Sequence, residues 1–171
     1  MLVSFAWWQV LVLDAVLLTS WALVAGWWYR RVPLEELCGG GFVLRLRAFE
    51  HGGSWYERRL RIRAWKDRLP ETGGRHGMSK RRLPGATAAD LERFASECVR
   101  GERTHWTVMA AAPTFALWNP HELFLVAAGT GVAGNTPFIC VLRYNRARIA
   151  AIIERGARPG CAASIVPKLI G

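Results

Sequence analysis

Residues 2–28 read LVSFAWWQVLVLDAVLLTSWALVAGWW, an apolar run interrupted by Ser4, Gln9, Asp14, Thr19 and Ser20. A helix of about 20 residues covers a hydrocarbon core of about 30 Å. Trp7 and Trp8 precede Trp27 and Trp28 by twenty positions. At about 1.5 Å of rise per residue the two Trp pairs stand about one bilayer apart. Aromatic residues at both ends, followed by Arg30 and Arg31, form the pattern of an interfacial belt with a cytoplasmic anchor. No basic region precedes the run, as a cleavable signal would require. A retained transmembrane helix over 5–29, with its N-terminus outside, is therefore expected. Asp14 is costly in lipid and should face the bundle or the outer interface.

Outward from this run, the 171 residues allow one small domain or bundle. The chain is 51% hydrophobic yet carries a formal net charge of +10. The two are reconciled by segregation, because all 23 Lys and Arg residues lie in 30–103 or 143–168. Two long stretches free of basic residues argue against nucleic acid as a partner, despite a pI near 10.5. Cys38, Cys98, Cys140 and Cys161 are scattered, which indicates neither a zinc site nor a disulfide framework. No metal is expected.

The second apolar region reads as a hairpin. Trp106–Trp118 (WTVMAAAPTFALW) leads to Asn119-Pro120, a turn signal, and His121–Leu142 supplies a further span. The first arm is short, about 18 Å of helix, so it must recruit Val99–His105, tilt, or remain re-entrant. Pro113 and Pro137 predict kinks. The positive-inside rule places 30–104 and the tail 143–171 in the cytoplasm and the Asn119–Glu122 turn outside. The expected fold is a mainly α membrane protein of about three transmembrane helices: 5–29, a short or re-entrant 105–119, and 121–142.

Within the cytoplasmic segment, 42–49 (FVLRLRAF) and 59–65 (RLRIRAW) alternate apolar and basic residues, as strands do. They flank Gly52, Gly53 and Ser54, so a short β-hairpin is one reading and a helix begun by Ser54 is the other. Asp67–Gly85 is rich in Pro and Gly and reads as a loop. Thr87-Ala-Ala-Asp90 resembles a capping box and opens an amphipathic helix over 88–104. That helix places Leu91, Phe94, Ala95, Cys98 and Val99 on one face. Glu97, Gly101, Glu102 and His105 fall within about 140° of arc, with Glu102 and His105 turned to the interior and close enough to hydrogen-bond.

Several motifs follow in series. FE-(x)2-G-(x)9-R-x-WK spans Phe49, Glu50, Gly53, Arg63, Trp65 and Lys66. E-(x)2-R-x-E-(x)2-HW spans Glu97, Arg100, Glu102, His105 and Trp106. N-x-P covers Asn135–Pro137, and RYNR covers Arg143–Arg146. Over Arg31–Arg148 the series resembles the small bacterial glycosyl-4,4'-diaponeurosporenoate acyltransferase family. The resemblance implies transfer of a fatty acyl group to a sugar hydroxyl of a carotenoid glycoside or another glycosylated membrane lipid. It also implies an acyl-CoA or acyl carrier protein as co-substrate, with no bound cofactor. The Gly74–Ser79 stretch (GRHGMS) departs from the apolar insert expected there.

Acyl transfer to a hydroxyl needs a base and stabilisation of an oxyanion. His105 is the best base, with Glu102 fixing its tautomer and Glu97 beside it. Glu50, Trp65, Lys66, Arg100, Asn135, Arg143, Asn145 and Arg146 are the expected substrate-binding residues. The cationic ones suit donor phosphates or anionic head groups. No HxxxxD, HxxxD or GxSxG signature is present. The competing reading is a non-catalytic membrane protein whose basic segment, notably Lys80–Arg82, docks anionic lipid or an enzyme partner.

Overall fold

The structure is a computed structural model that describes residues 6–33, 36, 41–70 and 87–156. The expected loop beyond residue 70, the Lys80–Arg82 run and the tail beyond Gly156 lie outside the described residues. Among the described residues the α-helices are α1 (Trp7–Arg31), α2 (Ser54–Leu60), α3 (Ala88–Ala110) and α4 (His121–Gly156). Tight 3-10 turns occupy Ala48–Gly53, Ile62–Ala64, Lys66–Arg68 and Ala112–Leu117. No strand occurs among the described residues.

α3 is the central element, packed on α1 along one side and on α4 along the other. It starts where Thr87 caps it, the hydroxyl accepting the Asp90 N–H at 3.1 Å. The Asp90 carboxylate accepts from that same hydroxyl, so this is a variant of the capping box. The expected apolar face is the buried one. Phe94, Ala95 and Cys98 pack with Leu142, Ile149 and Ile153 of α4, and Leu91 lies against them.

α1 runs antiparallel to α3, as the bonds between them show. Arg100 Nη2 donates to the Val32 carbonyl at 3.3 Å. Tyr29 and Thr107 share a hydroxyl pair at 3.0 Å, and Trp21 Nε1 donates to the Thr107 carbonyl at 3.0 Å. Farther along, Trp118 Nε1 and Asn119 Nδ2 donate to Asp14 Oδ1 at 2.7 and 3.0 Å. Asp14 thus faces the bundle and holds the turn between α3 and α4. The tip of the hairpin meets α1 seven residues, about 10 Å, inside Trp7.

Among the described residues two helices, not three, have the length and composition to cross a membrane, Trp7–Arg31 and His121–Gly156. The expected span at 105–119 is not a separate helix. Its first part is the end of α3, and its remainder is the 3-10 stretch from Ala112, with Pro113 in the first turn. Proline disfavours α geometry in the residue before it and lacks an N–H, which stops α3 at Ala110. Nor does the third expected helix end at Leu142. α4 continues through Arg143–Arg146 to Gly156 and passes Pro137 without a break.

The β-hairpin reading is also replaced. Residues 54–60 form α2, with Ser54 as its first residue and Gly53, not Ser54, as its cap. Gly53 has φ +77°. A Cβ there would stand 2.7 Å from Tyr144 Cδ2, so both the backbone angle and the close approach require glycine. Tyr144, Tyr56, Ile62 and Val141 build a second core cluster, with Trp55, Leu60 and Trp65 around it.

Along α1 and the first half of α4, apolar side chains face outward. On α4 the apolar Leu125 and Val126 are 54% and 64% exposed, whereas Tyr144, Asn145 and Arg146 are buried. α1 presents Trp7, Trp8, Leu11, Val12, Val16, Leu23 and Val24 outward and buries only Val10 and Ala25.

Candidate functional site

The E-(x)2-R-x-E-(x)2-HW motif sits on α3 opposite Asn135–Arg146 of α4, and two polar groupings join the helices. The first centres on Arg143. Its Nε and Nη2 grip the Glu50 carboxylate at 2.8 and 2.6 Å. Nη1 reaches Glu102 Oε1 at 2.7 Å and the Val43 carbonyl at 2.9 Å, and Nη2 also reaches the Arg45 carbonyl at 2.8 Å. A guanidinium has five N–H donors, and these five bonds use them all. Glu102 receives Arg146 Nη1 on its other oxygen and Trp106 Nε1 at 3.3 Å. Two carboxylates and two guanidiniums thus form a neutral cluster, with Glu50 and Glu102 almost completely buried.

The Glu50 end is further tightened by the Arg47 N–H, at 2.6 Å, and by the Tyr56 hydroxyl. Burial alone would raise the Glu50 carboxyl, but the bonds from Arg143, Tyr56 and Arg47 outweigh it and hold the group below its ordinary value. Burial and the adjacent Glu50 push the Tyr56 hydroxyl upward. Tyr144 donates to Glu57 at 2.7 Å, and Arg63 pairs with the same carboxylate.

The second grouping lies two turns along α4, about 12 Å from Arg143 by helix rise. His105 Nδ1 is 2.8 Å from Asn135 Oδ1. Its ring stacks on Phe138, centroids 4.8 Å apart at 12°. Asn135 Nδ2 donates to the Gly131 carbonyl at 2.7 Å. Pro137 leaves the Ala133 carbonyl without its helical donor, and Asn135 does not repair that one.

The structure therefore brings together Glu50, Glu102, Arg143 and Arg146, and separately His105 and Asn135. The expected Glu102–His105 hydrogen bond takes another form: both Glu102 oxygens serve arginines, and Asn135 faces the imidazole. Glu97 pairs with Arg100 at 2.8 Å on α3, with Arg100 also bonded to the end of α1. Trp65 packs in the second core cluster and donates to the Leu60 carbonyl at 2.8 Å. Lys66 pairs with Asp67 at 2.6 Å, and Asn145 is buried in α4. Among the described residues no group of three His, Cys, Asp or Glu is placed to hold a metal ion.

Sequence reasoning passed over Tyr56 and Phe138. Phe138 was signalled only by its position one turn after Asn135, the spacing that puts two residues on one helix face. The Arg143 contacts to the Val43 and Arg45 carbonyls had no signal in side-chain pattern at all.

The motif residues that converge at this α3–α4 seam lie within the region matched by a family comparison. The model of the CrtO family, glycosyl-4,4'-diaponeurosporenoate acyltransferase, matches residues 25–155. The chain belongs to this family. The matched region runs from the last turns of α1 nearly to the end of α4, so both polar groupings lie inside it. No curated protein and no solved structure matches the chain. The family is named as an acyltransferase acting on a glycosylated carotenoid.

Proposed function

We propose that this chain is a membrane O-acyltransferase that moves a fatty acyl group onto a sugar hydroxyl of a glycosylated lipid, with a carotenoid glycoside as the natural acceptor class. The observation that carries the proposal is the position of His105. It is held at the seam where the exposed apolar half of α4 gives way to the buried, charged half. A lipid acceptor lying along the apolar half would present its sugar there. In this reading α1 and the hairpin sit in the bilayer with the N-terminus outside. The basic segment and the C-terminal end of α4 are cytoplasmic.

His105 takes the proton of the sugar hydroxyl as its oxygen attacks the acyl carbonyl of a thioester or ester donor. The new C–O ester bond forms and the bond to the leaving group breaks. The imidazolium returns its proton to the departing thiolate or alkoxide, so the residue ends neutral. Arg143, its donors spent on the protein, holds Glu50 and Glu102 in place. Lys66 and Arg100, with other basic residues of 30–103, attract an anionic donor such as an acyl-CoA or an acyl carrier protein.

Lipid profiling of cells expressing wild type or His105→Ala tests this directly. The variant should accumulate normally and lose the acylated glycolipid, with its unacylated precursor rising. A variant that accumulates and leaves every acylated glycolipid unchanged removes His105 as the base, and the non-catalytic docking reading then gains.

A further inference from the structure

Asn135 stands in an apolar helix, where an amide needs partners for both its ends. Its Nδ2 is committed to the Gly131 carbonyl and its Oδ1 to the His105 ring. The opposite amide orientation would set Oδ1 against the Gly131 carbonyl, acceptor against acceptor, so the assignment is fixed by the backbone. An acceptor facing Nδ1 makes Nδ1 the protonated nitrogen and leaves the lone pair of the neutral ring on Nε2. Phe138, one turn farther along α4, lies flat on the same ring and restrains its rotation.

We infer that Asn135 is the positioning residue of the site: through Nδ1 it sets the tautomer and aim of His105, so that Nε2 is the atom presented to the acceptor hydroxyl. This rests on His105 being the base. Glu102, one turn before His105 on α3, is paired with Arg143 and Arg146 of α4. The contact at Nδ1 comes from a neutral amide. An amide holds the neutral imidazole in one tautomer without the pull that a carboxylate would exert toward the charged form. Among acyl-transfer sites the third member orienting the base need not be acidic.

The test uses purified full-length protein in nanodiscs, with palmitoyl-CoA as donor and dodecyl glucoside as acceptor, and reads the acylated glucoside by mass spectrometry. Asn135→Ala should lower kcat about 10- to 100-fold with KM for either substrate little changed, because the substrate contacts stay intact. Asn135→Asp keeps an acceptor at Nδ1 and should recover part of kcat. It should also shift the acid limb of the pH profile upward by about 1 unit, since the added carboxylate favours the protonated ring. If Asn135→Ala fails to accumulate, the limb of Asn135→Asp decides alone, and an unmoved limb overturns the inference. A wild-type kcat in Asn135→Ala, or a change confined to KM, overturns it as well. Activity retained by His105→Ala, by contrast, defeats the base assignment on which it rests, whatever Asn135 does.

Discussion

Single atoms decide much of this structure, and Gly53 shows how. A methyl group there would meet the Tyr144 ring 2.7 Å away and would force a side-chain-bearing residue to φ +77°. Gly53→Ala should cost about 1–3 kcal/mol, seen as a lowered thermal midpoint in detergent. Arg143→Lys keeps the charge but gives up the two-pronged hold on Glu50 and most of the five bonds. Leaving buried carboxylates short of partners costs about 3–5 kcal/mol, so this variant should accumulate poorly. Glu50 gives the pH dependence its sign. Folding lowers its carboxyl below the ordinary 4.5, so the folded state binds that proton less readily than the unfolded chain. The stabilisation is complete above about 4.5 and drains away as pH falls below it. Glu50→Gln should flatten the acid side of a stability–pH profile measured by thermal unfolding. The FE motif marked Glu50 as a candidate substrate-binding residue, but its clasp by Tyr56 and Arg143 was not legible there. Those partners lie six and 93 residues away in sequence, beyond any helical spacing.

Among the elements, α3 was the most legible, because its cap and its apolar stripe obey local rules. Thr87→Ala removes the acceptor for the Asp90 N–H and should cost about 1 kcal/mol of stability, while Thr87→Asn restores it. The alternating segment at 42–49 misled for a physical reason. Leu44 and Leu46 are indeed buried with Arg45 exposed between them, so the period-two signal was real. What is missing is a partner strand. The backbone turns at Gly41, and the Val43 and Arg45 carbonyls are taken by the guanidinium of Arg143 instead of by strand N–H groups. A side chain 98 residues away supplies what a neighbouring strand would have supplied. The end of α4 was misplaced for the opposite reason. The apolar run stops at Leu142, but the helix continues because Glu102 and Glu50 neutralise the arginines that follow.

For the whole molecule, the segregation of basic and apolar residues was visible in the sequence, and it reappears as outward-facing apolar side chains on α1 and the first half of α4, with Glu50, Glu102 and Arg146 buried around the second half of α4. The pairing of His105 with Asn135 was not visible. Both residues were candidates, but their meeting depends on the register between two antiparallel helices, which no local pattern encodes. The Asp14 tie has a consequence at this scale. α1 extends about 10 Å beyond the hairpin tip that Asp14 holds, so the two parts ask for different hydrophobic thicknesses. In the membrane arrangement proposed above, a bilayer meeting both would thin over the hairpin, drawing head groups down toward Asn119 on one side only. Activity should therefore rise in nanodiscs made from shorter-chain lipids and fall in longer-chain ones. Asp14→Ala, which frees the tip, should weaken that dependence when acyl transfer is measured across a chain-length series. The protein would then work as a local dent in the membrane, lowering the distance a rigid, elongated lipid must tilt to reach the opposite face.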